Sequence, residues 1–341
     1  MKTTFVFGAG ASIHAGYPLA SKMGEQLLNF MIKHRLDRSR HYGQLIVDAF
    51  GKSPNIEDII TEIDARIESL RKEGKTEERR VWGNARGWFG VMLREWFRKL
   101  HKKPARDYKD FAKRIIKPGD TVITFNYDDS LDRELRQVGK WDLSRGYGFP
   151  LGKADAPSKV LMLKLHGSMN WMLSINNGAM GFVQFQPGKT LGDHPVIHRE
   201  DAKYLGYKKF EGSTYPGGGA AMQSLILPGR CKRFVIDTSF GPEYEGFWNA
   251  LWSKAAAALK ESDRLVICGY SMPKADKRAR RLLLGIKNKD IRITVICGGQ
   301  SEDIALYFRK VQFRNVKAFK GGYFDKWLQS LKAGRLRKRS A

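Results

Sequence analysis

Apolar and polar positions fall in short blocks along the chain. Residues 3 to 7, TTFVF, are a β-branched and aromatic run that breaks into GAGASIHAG, and the following YPLASKMGEQLLNFM has helical spacing. From about residue 20 to 117 the pattern is helical with no convincing strand. Ile56, Ile59, Ile60, Ile63, Ile67 and Leu70 recur at helical intervals, with Asn55 placed as an N-cap and Asp58 in the first turn. A second stripe, Phe89, Leu93, Trp96, Phe97 and Leu100, follows a polar stretch at 71–80, and both stripes read as core. Lys117-Pro118-Gly119 ends this stretch, and TVITFNYDD at 121–129 predicts a buried strand that opens abruptly into polar residues.

The same logic recurs further along. SLDRELRQVG predicts a helix closed by Gly139, and Lys159–Leu165 a strand that leads into KLHGSMNW at 164–171. Residues 172–224 are poorly patterned and rich in Gly, Tyr and Lys, and LILP at 225–228 is a short apolar run. FWNALWSKAAAALKES at 247–262 predicts a helix. RLVICGYSMPKAD predicts a strand ending in Gly269-Tyr270-Ser271 with a helix after Pro273, and IRITVICGG at 291–299 repeats it. Strands alternating with helices, several leaving through glycine, predict an α/β fold: a Rossmann-like parallel sheet whose ligand lies at the carboxyl ends of the strands. The expected organisation is one domain over 1–331, with a helical insertion at about 20–117, an irregular excursion at about 172–224 and a basic tail at 332–341. There is no internal repeat.

Charge adds a second constraint. Lys and Arg total 61 of the 341 residues against 35 acidic residues, a net charge of +26, which favours an acidic partner. Nucleic acid and an anionic small molecule such as a dinucleotide both fit; the basic residues are scattered rather than gathered with aromatics in one segment. Cys231, Cys268 and Cys297 form no CxxC pair, which speaks against a disulfide framework or a zinc site and suits a reducing cytoplasm. Asp193, His194 and His198 suggest a metal at first sight, but Pro195 prevents a helix from aligning the two histidines, and an exposed loop is the simpler reading. No signal-like leader and no run of about 18 apolar residues is present, so no export or membrane anchorage is expected.

Candidate chemistry gathers at the strand exits. A strand, a glycine turn and a helix in succession present backbone N–H groups to an anion, which makes Gly8, Ala9, Gly10, Ala11 and Ser12 candidate binding residues. As a generic dinucleotide fingerprint the stretch is weak, because after Gly8 and Gly10 the next glycine is Gly16, too late in the motif; a turn needing glycine only for its tight backbone is the alternative. Asn126 and His166 sit at two other exits. Alone, Asn126 reads equally as a turn former and His166 as a satisfied core histidine.

Taken in order, GAGAS with Gly16 and Pro18, TFNYD, KLHGS and CGYSMPKAD resemble the sirtuin family, and most of all its bacterial branch of sirtuin-like NAD hydrolases of anti-phage defence. The four motifs span about residues 5–300. The resemblance implies that the GAGAS turn holds the phosphates of NAD, that Asn126 and His166 match the catalytic Asn and His, and that Asp128 matches the residue contacting the nicotinamide carboxamide. Ser12, Gly269, Tyr270 and Ser271 then become candidate phosphate or ribose contacts, and no metal is required. Protein-deacylating sirtuins have an acidic residue, Phe and Arg where this chain has Leu19-Ala20-Ser21, usually Gln where it has Phe125, and four zinc cysteines that three cysteines cannot supply. Deacylation is thereby disfavoured, and cleavage of NAD is not. An NAD or ADP-ribose sensor would keep the glycine turns without needing both Asn126 and His166, and a nucleic-acid-binding protein would account for the charge directly. Control by a separate protein or by homo-oligomerisation is the further expectation, since the fold consumes nearly the whole chain.

Overall fold

The computed structural model describes residues 1–53, 55–100, 105–143, 145–149, 158–177, 183–185, 196–198, 219–225, 242–274 and 276–337; within 172–247 and 334–337 it describes the backbone alone. Asp193, His194, Pro195 and Cys231 lie outside the described residues, as do 226–228 and 338–341.

Six parallel strands make the central sheet: β1 (Thr3–Phe7), β2 (Thr121–Thr124), β3 (Leu161–Lys164), then, after four strands of a second sheet, β8 (Arg264–Cys268), β9 (Arg292–Ile296) and β10 (Val316–Ala318). Their spatial order is β10-β9-β8-β1-β2-β3. The first three strands step outward one way from β1 and the last three the other way, so the order reverses between β1 and β8, where Phe7 pairs with Cys268. Connections that leave two neighbouring strands in opposite directions open a crevice at their carboxyl ends, the usual ligand position in such sheets. Both faces of the sheet are covered, and β1, β2 and β8 accordingly read as continuous apolar runs.

Between β1 and β2 the predicted helical stretch is a set of five helices, α1 (Ala20–Ile32), α2 (Asp37–Phe50), α3 (Ile56–Lys72), α4 (Thr76–Leu100) and α5 (Arg106–Arg114). The Asn55 side chain accepts the Glu57 N–H at 3.1 Å, the predicted cap of α3. Ile56, Ile59, Ile60, Ile63 and Leu70 are buried, and so are Phe89, Leu93, Trp96 and Phe97 of the second stripe. The helix after β2 is α6 (Ser130–Gln137); α7 (Pro242–Lys260) precedes β8, and those after β8, β9 and β10 are α8 (Lys277–Leu284), α9 (Ser301–Lys310) and α10 (Phe324–Arg337). Among the described residues no helix is long and apolar enough to cross a membrane.

Two expectations need correction. The stretch expected to be irregular at about 172–224 holds strands of a second sheet: β4 (Gly167–Asn177) runs into it and pairs antiparallel with β5 (Val183–Phe185), β6 (Val196–His198) and β7 (Gly219–Leu225). The basic tail is not separate from the fold up to Arg337, because α10 continues through it. Helix α1 covers most of the stretch with helical spacing that follows the glycine turn. Two short 3-10 turns, Ala9–Ala11 and Ile13–Ala15, come first, and Gly16 at φ +88° ends the second. Pro18 disfavours helical backbone at Tyr17, so α1 waits until Ala20.

One buried group stands out beside the sheet. Lys164, at the end of β3, is fully buried, its Nζ donating to Asp132 Oδ2 at 3.1 Å and to the Asp128 carbonyl at 2.6 Å. The Tyr147 hydroxyl donates to the same Asp132 carboxylate at 2.5 Å. A lone buried ammonium would be costly, so this cluster exists as a unit. It ties β3 and α6 to the loop carrying Asp128.

Candidate active site

The turns after β1 and β8 are laced together by backbone. Gly8 N–H donates to the Cys268 carbonyl and Gly10 N–H to the Gly269 carbonyl, each at 3.0 Å. There is no room for side chains between them. A Cβ on Gly8 would lie 2.6 Å from the Tyr270 Cα, and one on Gly269 would lie 2.1 Å from the Ala11 nitrogen, at a residue with φ +64°. Close approach of two main chains accounts for these glycines before any ligand is considered. We expect Gly269→Ala to cost more than about 3 kcal/mol, since backbone strain and a backbone clash coincide. Urea unfolding measures it, and a loss below about 1 kcal/mol would contradict the packing described.

Ser12 is the hub of the next layer. Its Oγ, almost fully buried, donates to Asp128 Oδ2 at 2.7 Å and accepts from Asn126 Nδ2 at 3.0 Å, with the Tyr108 hydroxyl of α5 at 2.8 Å. Asn126 Nδ2 also donates to the Gly8 carbonyl at 3.0 Å, and its backbone N–H is received by Thr124 Oγ1 at 3.1 Å. Asp128 Oδ1 accepts the Ser130 N–H at 3.1 Å. One serine hydroxyl thus fixes both polar residues of the β2 exit. With one donor and two acceptor positions, it is saturated by these three partners. Ser12 therefore shapes the site through Asn126 and Asp128.

His166 follows β3, with the next segment pinned on two sides. Met169 N–H donates to the Tyr127 carbonyl at 2.8 Å, and Arg94 of α4 donates to the Met169 carbonyl at 2.8 Å. The imidazole packs against Phe125, ring centroids 5.0 Å apart, and Phe125 stacks on Tyr270 at 4.3 Å and 25°. His166 Nε2 lies 3.4 Å from Asp276 Oδ2, within ion-pair reach but off the line of a straight hydrogen bond.

These groups surround a cavity of about 280 Å³ between the strand exits and the helices. Gly8, Ala9, Ser12, Asn126, Asp128, His166, Gly269, Tyr270 and Ser271 line it. Gly10, Ala11 and Gly16 do not: the first two are buried behind the turn and Gly16 closes the 3-10 segment. The helices supply the facing wall, including Met23, Asn55, Glu57 and Phe97. Among the described lining residues, Glu57, Asp128 and Asp276 are carboxylates, and none is Lys or Arg. Among the described residues, then, the excess positive charge does not line the cavity. In the glycine turn the Gly8, Gly10, Ala11 and Ser12 N–H groups already donate to main-chain carbonyls, while a cationic ring would find carboxylates and aromatic faces in the cavity. Cys297 also lines the wall, but burial pushes its thiol up to about 11, and it donates to the Tyr270 carbonyl at 3.4 Å. It stays a thiol.

Sequence reasoning missed Glu57 and Asp276. Glu57 sits in the first turn of α3, where an acid ordinarily serves the helix dipole. Asp276 immediately precedes α8, where an Asp ordinarily reads as an N-cap; here it makes no capping bond, and that departure is visible only in three dimensions.

No family model matches this chain, and no curated protein matches it. Solved structures with a similar chain path include Sir2Tm bound to a propionylated peptide (TM-score 0.44, 12% identity, 98% of this chain and 92% of that chain). A Sir2 homolog–NAD complex aligns with TM-score 0.42 and 13% identity over 100% of this chain and 90% of that one. A Sir2–p53 peptide–NAD+ structure gives 0.42 and 12% over 98% and 94%.

Proposed function

We propose that this chain is an NAD glycohydrolase, cleaving the nicotinamide–ribose bond to give nicotinamide and ADP-ribose. The observation that carries the reading is the convergence of Asn126, Asp128 and His166 with the glycine turn on one cavity at the switch point of the sheet. The resemblance of the four ordered motifs supports it. Leu19, Ala20 and Ser21 line the cavity where protein-deacylating sirtuins carry an acidic residue, Phe and Arg, which favours hydrolysis over deacylation.

The leaving group is a pyridinium, so the bond is already activated. What the chain must add is orientation, stabilisation of positive charge at the anomeric carbon, and a proton acceptor. Asn126, its Nδ2 committed to Gly8 and Ser12, has a fixed amide plane and directs its carbonyl oxygen at a water or ribose hydroxyl without titrating. Asp128 orients the carboxamide. As the C1′–N bond breaks, its electron pair leaves with nicotinamide; the water oxygen bonds to C1′ and its proton passes to His166. Carboxylates and aromatic faces around the cavity favour the cationic ring and the oxocarbenium-like centre over neutral analogues. The setting we propose is anti-phage defence, with activity held in check by a partner protein or by oligomerisation.

The experiment is NAD consumption by the purified full chain, with nicotinamide and ADP-ribose identified chromatographically, with and without added DNA. Appearance of both products in equal amounts is expected. Absence of both turnover and calorimetric NAD binding, with and without DNA, would overturn the reading.

A further inference from the structure

Asp276 is the most deeply buried carboxylate lining the cavity, 1% exposed. Burying an ionised carboxylate is unfavourable unless the protein supplies partners. Two face the same oxygen: the Tyr270 hydroxyl donates to Oδ2 at 2.9 Å, and His166 Nε2 stands 3.4 Å away. The local backbone is arranged for this. Asp276 N–H donates to the Pro273 carbonyl at 3.0 Å, and the side chain, instead of capping α8, is directed toward the imidazole. The loop between β8 and α8 also holds Met272 at φ +52°, unfavourable for a residue with a side chain, and Arg280 of α8 clamps the Met272 carbonyl at 2.8 Å. Strain of this kind persists only where surrounding structure enforces it, and it is common at functional sites.

We infer that Asp276 is the positioning residue for His166, its carboxylate fixing the ring and tautomer of the imidazole while Tyr270 holds the carboxylate. The inference deepens the hydrolase reading and rests on it for the reaction alone, because the pairing itself is a property of the free protein. With Asp276 ionised, the proton of neutral His166 sits on Nε2, and Nδ1 becomes the nitrogen that accepts a proton from water or a ribose hydroxyl. The imidazolium formed in that step is then stabilised by the carboxylate. The other groups facing the pair are Tyr127 on the β2 exit, Glu57 of α3 and Arg280 of α8. Burial first, and then the charge of Asp276, raises the Tyr127 and Tyr270 phenols well above their ordinary value. Tyr270 thus remains a donor across the whole working range of pH.

The test is an NMR titration of the full chain labelled in its seven histidines, with His166→Ala identifying the His166 signals. In the wild type the neutral ring is expected as the Nε2–H tautomer. In Asp276→Asn the His166 midpoint is expected to fall by about one unit or more, as for loss of an adjacent opposite charge. Tyr270→Phe shifts it the same way by less, and serves if Asp276→Asn does not fold. In NAD cleavage, Asp276→Asn lowers kcat by roughly 10²-fold or more with KM little changed, and moves the acid limb of kcat/KM downward by the same interval as the NMR midpoint. An Nδ1–H tautomer in the wild type, or a rate loss accompanied by an unmoved His166 titration, overturns the inference. A shifted titration in a protein that neither binds nor cleaves NAD upholds the pairing and removes the hydrolase reading instead.

Discussion

NAD turnover is expected to fall by roughly 10²- to 10⁴-fold in His166→Ala, the range for loss of a positioned general base. The expected loss in Asn126→Ala is roughly 10²- to 10³-fold, as for removal of a fixed polar group at a charged transition state. Both residues lie at the cavity, and Asn126 is partly exposed, so truncating it leaves no large void. The melting temperature of Asn126→Ala should therefore stay near that of the wild type, whereas His166→Ala leaves the buried Asp276 with one partner fewer and should melt lower; single-turnover assays with circular dichroism check both halves. Ser12→Ala separates positioning from chemistry. It removes the hydroxyl on which Asn126 and Asp128 both hang but leaves their functional atoms in place, so a smaller loss is expected. Wild-type turnover in His166→Ala or Asn126→Ala would sink the assignment of that residue.

Lys164→Met carries the largest expected effect on stability. It leaves Asp132 buried with its ammonium partner gone, which costs about 3–5 kcal/mol for a buried pair broken on one side. Burial already raises the Asp132 carboxyl above its ordinary value, with Lys164 opposing. The sign of the pH dependence follows. A carboxyl whose folded-state pKa lies above its unfolded value loses stability as pH rises through the folded pKa, so the deficit of Lys164→Met is smallest near pH 4 and grows above it. Urea unfolding of wild type and variant at several pH values reads this directly. Replacing both partners, Lys164→Met with Asp132→Leu, should recover much of the loss. A deficit independent of pH would mean that lost packing, not the orphaned carboxylate, is responsible.

Much of the sheet was legible because a doubly covered parallel strand must be apolar on both sides: TTFVF, TVIT, RLVIC and RITVI announce themselves. The helical stretch was legible through its isoleucine stripe and the Asn55 cap. The second sheet was not, because polar Ser168 and Asn170 interrupt β4 beside His166, yet both are buried in the structure. The three-residue β10 is too short to carry a pattern. At the site, Asn126 and His166 were visible as polar breaks after apolar runs and Asp128 only through the family resemblance, and the structure gathers all three around one cavity. What local pattern cannot show is how a hydroxyl is spent. Ser12 looked like a ligand contact until its three partners, 96 to 116 positions away, were placed around it. Asp276 was hidden for the same reason, since its partner is His166 and not the helix it precedes.

The reversal of strand order between β1 and β8 has a consequence for how the protein is made. The cavity takes walls from Gly8, Ala9 and Ser12 near the start of the chain and from Gly269–Ser271, Asp276, Cys297, Gln300 and Tyr323 near its end, so its last components are encoded far downstream of the first. A chain still on the ribosome, or truncated before residue 264, has the Asn126 and His166 exits but lacks the β8 turn that locks against Gly8 and Gly10. The enclosed cavity thus forms only after β8 and its turn have been made. Incomplete products carry the polar residues without the enclosure.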